Sequence, residues 1–118
     1  MEETGPRSPE DGVDLVLVNA PPDRAAAMAR SLVEQRLVAC VNILPAVRSV
    51  YRWEGKIEEA DESTLLMKTR RSLVPELTAA VKLLHPYEVP EIIALPVAGD
   101  RGNADYLRWV LSETERSG

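Results

Sequence analysis

The sequence predicts an α+β fold of the ferredoxin-like type, βαββαβ, with a long β-hairpin and an extra helix at the C-terminal end. Three observations predict it. Apolar residues at helical spacing recur in three stretches, with β-branched runs between them, giving the order strand, helix, strand, strand, helix, strand, helix. The two consecutive strands meet at the short segment Glu54-Gly55-Lys56, where glycine supplies the positive φ of a tight hairpin turn. Right-handed crossovers then lay the first two helices on one face of an antiparallel sheet. The other face stays bare in a single chain, so a partner is expected there.

Taken in order, residues 1–12 hold Gly5, Pro6, Pro9 and Gly12 among charges and read as a loose tail before a single domain over 13–118. Val13 to Val18 is an almost fully apolar run, as suits a central strand. Pro21 and Pro22 stop it, and Asp23 is placed to cap the helix that follows. Along that helix Ala25, Met28, Ala29, Leu32 and Val33 form one apolar stripe. Val38 to Leu44 returns to strand character and is expected to break at Pro45. Past the break, Val47, Ser49, Tyr51 and Trp53 alternate with Arg48, Val50, Arg52 and Glu54, so the two aromatics share a face. The return strand starts at Ile57 and ends with Thr64 to Thr69. Ser72 is an expected N-cap and Pro75 falls in a first helical turn, where its missing N–H costs nothing. Leu73, Leu77, Ala80, Val81 and Leu84 keep helical spacing until Pro86 forces His85 out of helical geometry. Ile92 to Val97 is a strand at an edge or end, marked by Pro96. Asn103 caps a last helix carrying Tyr106, Leu107, Val110 and Leu111.

Composition narrows function. The 118 residues are 45% hydrophobic and 28% charged, an ordinary globular balance, and with Phe absent the core must be aliphatic. Fourteen Lys and Arg against 19 Asp and Glu give a net charge of −5, which opposes binding to nucleic acid or anionic lipid. No apolar run approaches the roughly 20 residues of a membrane helix. The beginning MEETGPRSPEDG is no secretory signal. A single cysteine, Cys40, excludes an internal disulfide and multi-cysteine zinc patterns, and fits a cytoplasmic protein.

The chain's one histidine sits in KLLHPYEVPEI. His85, Glu88 and Glu91 offer an imidazole and two carboxylates, a donor set suited to zinc or copper. Pro86 and Pro90 hold the segment extended, however, so helical spacing does not align the three. The competing reading makes His85 the C-terminal cap of the second helix. Tyr51 and Trp53 suit either an aromatic anchor between subunits or a ligand cleft shared with Lys68, Tyr87 and Glu91. Lys68 ends an apolar run, as a snorkelling side chain or an anion anchor. Cys40 reads as a small apolar filler, and Glu58, Glu59, Asp61 and Glu62 as a solvated hairpin flank. An enzyme using His85 with Glu88 or Glu91 as acid and base ranks last, because no nucleophile or phosphate loop accompanies them.

The stretches LVACVNILPAVRSVYRWEGKIE, MKTR, HPYEVPEIIALPV and YLRWV, in this order and spacing, resemble the CutA family of divalent-cation tolerance proteins, from about Val13 to Leu111. The resemblance implies a tight homotrimer of ferredoxin-like subunits with hairpins crossing subunit boundaries. It also implies a non-enzymatic role in divalent metal tolerance, with copper binding by some members. No cofactor is required, beyond a divalent copper or zinc ion where one is bound. Metal binding in the family is linked to a cysteine near the end of the first strand, a histidine before the HPY histidine, and the glutamate of the PE step. Asn19 and Leu84 stand at the first two positions here, and Glu91 alone is kept. The expected metal residues are therefore His85, Glu91 and Glu88, shared across a trimer, and the expected ligand cleft holds Trp53, Lys68 and Tyr87. The alternative implied by the likeness to PII signalling trimers is a signalling or scaffold protein. Its intersubunit cleft would take a small molecule or an as yet unknown protein partner.

Overall fold

Four strands and three helices follow one another in the expected order in the computed structural model, which describes residues 12–115. The expected N-terminal tail, Gly12 apart, lies outside the described residues. The elements are β1 (Val13–Ala20), α1 (Pro22–Glu34), β2 (Cys40–Trp53), β3 (Lys56–Arg70), α2 (Val74–Leu84), β4 (Ile92–Pro96) and α3 (Ala104–Glu113). The sheet order is β2-β3-β1-β4 and every pairing is antiparallel, which is the ferredoxin-like topology.

Alternation along β1 and β3 decides what the sheet covers. Val16, Val18, Leu65 and Met67 are fully buried and face the helices. There they meet Ala25, Met28, Ala29 and Leu32 of α1 and Leu77 and Val81 of α2, so one aliphatic core fills the space between layers. The opposite parity puts Leu15, Leu17 and Leu66, with Ile93 and Leu95 of β4, on the second face. Ile93 and Leu95 are exposed. Among the described residues only α3 crosses that face, at one end, where Arg70 Nη2 donates to Leu111 O at 2.6 Å and Arg36 Nη1 to Glu113 O at 3.2 Å.

Three local expectations are corrected. β2 does not break at Pro45. It runs on to Trp53, and the register slips by one residue between Leu44, opposite Thr64, and Val47, opposite Glu62. β2 is an edge strand, so the missing N–H of Pro45 is accommodated in this bulge without losing a ladder to a second neighbour. Asp23 does not cap α1: Pro21 is the cap residue, and Asp23 lies in the first turn, where its charge suits the helix dipole. Ser72 does not cap α2 because a 3₁₀ turn over Arg71–Leu73 precedes it, and the Val74 N–H is already spent on Arg71 O. Asn103 does cap α3, its Oδ1 accepting from the N–H of Asp105 at 2.9 Å and of Tyr106 at 3.4 Å.

The hairpin turn has Glu54 at φ 50° and Gly55 at φ 81°, two successive left-handed residues of the kind that match strand twist. Strands this long carry the hairpin well past the core, and the Cα trace extends 56 Å along its longest axis against 25 and 22 Å along the others.

A candidate binding cleft at the root of the hairpin

The bulge at Pro45-Ala46 sets up the site. Before it, Cys40, Asn42 and Leu44 pair with Lys68, Leu66 and Thr64 on the bare sheet face. After it the parity of β2 is reversed relative to β3, so Ser49, Tyr51 and Trp53 take that face, opposite Ala60, Glu58 and Lys56. Glu62 of β3 shares the same side.

Two short polar chains meet there. In the first, Ser49 Oγ donates to Glu62 Oε1 at 2.5 Å, and the Tyr87 hydroxyl also bonds to Glu62. In the second, Thr64 Oγ1 donates to Asn19 Oδ1 at 2.6 Å, and Asn19 Nδ2 donates to Glu91 Oε1 at 3.2 Å. The segment between α2 and β4 closes the third side. His85 ends α2 in extended geometry, its N–H bonded to Val81 O at 2.8 Å. Its buried ring links β1 to the loop: Nε2 lies 2.7 Å from Asn19 O, and Nδ1 accepts from the Tyr87 N–H at 3.2 Å. A carbonyl can only accept, so the ring proton belongs on Nε2. The His85 and Tyr87 rings pack 4.6 Å apart, tilted by 54°.

Together these elements enclose a cleft of about 680 Å³. Its chemistry comes from Tyr51, Trp53 and Tyr87 and from the carboxylates of Glu62, Glu88 and Glu91, with no lysine or arginine in the lining. Partial burial first, and the neighbouring Glu62 carboxylate second, push the Tyr87 hydroxyl from 10.0 up to about 12, so it stays protonated and donates.

The cleft therefore gathers Trp53, Tyr87, Glu88 and Glu91 but not Lys68. That residue lies further along β3, opposite Leu15 and Cys40, where its Nζ bonds Asn42 Oδ1 and sits 3.7 Å from Cys40 Sγ. Strand parity keeps it on the bare face, while distance along the strand removes it from the cleft. Cys40 is half-buried, beside Lys68 and the Tyr106 phenol, and so is not the enclosed filler its apolar neighbours imply. His85 lies behind the cleft wall with both ring nitrogens engaged. Its ring reaches β1 rather than the end of α2, whose Leu84 carbonyl is met by Arg24 Nη2 at 3.2 Å. Among the described residues no three His, Cys, Asp or Glu side chains gather as a metal cage, so the metal ligands expected from the sequence do not fit an ion within one chain. The site residues missed in the sequence are Ser49, Glu62 and Asn19. Glu62 is only 6% exposed, unlike the rest of the acidic flank, where Glu59 and Asp61 pair with Arg48.

Fold and cleft place the chain in a class of small ferredoxin-like proteins with a bare sheet face, a projecting hairpin and an acidic, aromatic cleft at its root. Within that class the assignment is specific. Residues 14–113 match the model of the CutA1 divalent ion tolerance protein family, and the chain belongs to that family. Protein CutA of Mus musculus is 50% identical over 104 residues, covering 87% of this chain and 58% of the mouse protein, so the chain spans well under two thirds of that relative. The crystal structure of CutA1 from Oryza sativa superposes with a TM-score of 0.85 at 43% identity, over 93% of this chain and all of the rice one. A PII-like protein CutA from Nostoc sp. PCC 7120, in apo form, gives a TM-score of 0.82 at 36% identity, over 86% of this chain and 97% of its own. The family is named for tolerance, not for a reaction. Relatives from rice and Arabidopsis thaliana are named as chloroplastic. No helix among the described residues is long and apolar enough to cross a membrane.

Proposed function

We propose that this chain acts as a non-enzymatic homotrimeric binding protein in divalent metal tolerance, with the cleft at the hairpin root as its ligand site, completed by a neighbouring subunit. One observation supports this above the others: Leu15, Leu17, Leu66, Ile93 and Leu95 form a continuous apolar sheet face, covered among the described residues only at one end by α3, beside a hairpin that projects beyond the core. A second and third copy would bury that face. A copper or zinc ion then needs donors from two subunits, Glu91 and Glu88 from one cleft rim and further oxygen or nitrogen from its neighbour. His85 joins only if its ring leaves Asn19. The lone half-buried thiol suits a reducing compartment, so the cytoplasm is the location we assign. Net charge −5 argues against nucleic acid or lipid as a partner.

Light scattering on the full chain tests the assembly: three monomer masses are expected, and one monomer mass overturns it. Calorimetry with Cu²⁺ and Zn²⁺ tests the ligand. Uptake in the order of micromolar, weakened by Glu91→Gln, is expected. Heat no larger than that of buffer, unchanged by Glu91→Gln, overturns direct metal binding.

The cleft favours a second reading, a PII-like signalling or scaffold trimer. About 680 Å³ is far more than a bare ion fills and lies within the roughly 300–1,000 Å³ usual for organic ligands. A metabolite that raises the melting temperature where no metal does so supports this reading.

A further inference from the structure

We propose that the cleft at the hairpin root binds an organic cation, an amine or quaternary ammonium group, seated among Tyr51, Trp53 and Tyr87 and held by the carboxylate of Glu62. This deepens the reading of the cleft as the ligand site and rests on it. Four observations carry it.

The first is an unpaired charge. Glu62 is 6% exposed, and the bonds it accepts come from the hydroxyls of Ser49 and Tyr87. Asp14, the other carboxylate buried to the same 6%, has a cation in Arg71. Among the described residues no lysine or arginine pairs with Glu62. A buried carboxylate without a counter-charge is costly, and hydroxyl donors offset only part of that. The second is composition. Of the chain's two tryptophans and three tyrosines, Trp53, Tyr51 and Tyr87 line this one cleft. Aromatic faces are the surfaces that attract a soft, weakly hydrated cation. The third is sign: Glu62, Glu88 and Glu91 are all the charge in the lining, so an anion is repelled and a cation attracted. The fourth is coordination: the acids are not gathered into a three-donor cage, which disfavours a bare metal ion as sole occupant.

Tetramethylammonium and spermidine are suitable probes, with neopentyl alcohol as the neutral analogue of the first. In a Trp109→Phe background, fluorescence reports on Trp53 alone. Saturable quenching and calorimetric heat with both cations, and neither with the alcohol, are expected. Glu62→Gln keeps the shape and should weaken binding about tenfold, the scale of one charge contact. Should Glu62→Gln not fold, Glu88→Gln on the exposed rim replaces it, with a loss of about threefold and weaker binding in high salt. Equal binding of the alcohol, or no loss in whichever glutamate variant folds, overturns the proposal. So does silence from both cations, including the case where a neighbouring subunit's own basic side chain fills the cleft. Light scattering on the same samples separates the two claims. A monomer that binds the cations overturns the assembly and supports the cleft chemistry, while a trimer that ignores them does the reverse.

Discussion

The body of the sheet and its projecting arm are built from the same residue types and end in opposite states. In the body, Val16, Val18, Leu65 and Met67 have no exposure at all. In the arm, Val50 is 63% and Ile57 60% exposed, and β2 has no buried residue anywhere. β-branched and aromatic residues make both regions strands, since they suit a pleated surface whatever covers it. Burial is a separate matter, decided by whether a helix lies above. The body completes its core within the chain, whereas the arm holds a ladder and leaves its apolar side chains for another surface.

Substitutions can break or sharpen that contrast. Leu65→Ala should cost about 2–5 kcal/mol in urea unfolding, because it opens a cavity under α1 and α2. A loss no larger than that of Val50→Ser would erase the contrast. Thr69→Val comes next. It strips the Leu37 carbonyl of a buried hydroxyl donor at 2.6 Å and should cost about 1–3 kcal/mol by the same measurement. Val50→Ser, on the arm, should change subunit unfolding by no more than about 0.5 kcal/mol. Its effect should appear instead as a raised dissociation constant of the assembly in dilution-series light scattering. The smallest expected effect lies at the junction of the two regions. Tyr87, with its hydroxyl raised from 10.0 to about 12, holds its proton more firmly when folded. The folded chain then binds more protons across that window, so the contribution is fully present below the unfolded value and is lost as pH rises through the folded one. Tyr87→Phe should flatten this alkaline slope in a pH series of melting temperatures.

Much of the body was legible in the sequence, because its alternation and helical stripes report burial directly. Hydrophobic spacing named the residues of α1 and α2 that meet the sheet, apart from Val33, which lies exposed beside the stripe, and Gly55 and Asn103 marked a turn and a cap through local chemistry alone. The cleft was only half legible. Trp53, Tyr87, Glu88 and Glu91 were singled out by type and by proline-held spacing. Ser49 and Glu62 were hidden, because their meeting depends on a register slip that periodicity cannot show. Glu62 looked like one more solvated acid in a run of acids. Pro45 misled for a related reason: a proline ends a strand with two neighbours but not necessarily one at an edge. The chemical character of Lys68 groups it with the cleft, and only the pairing with Leu15 and Cys40 shows how far along the sheet it lies. Pro86 marks His85 as the residue that closes α2, and its N–H does cap Val81 O, but the bond of its ring to Asn19 O is a long-range contact that no local pattern announces.

The extra residue at the Pro45-Ala46 bulge works like a shift of reading frame. Everything on β2 up to Leu44 is addressed in one frame and everything from Val47 to Trp53 in the other. The two segments can therefore diverge independently: the first is held to the shape of the body, while the second can exchange Ser49, Tyr51 or Trp53 for other side chains without disturbing a single core contact. Length is what cannot drift. A one-residue deletion there would point Tyr51 and Trp53 away from the cleft, so lineages of this fold should vary in what the arm displays but not in the count of residues between Leu44 and Val47.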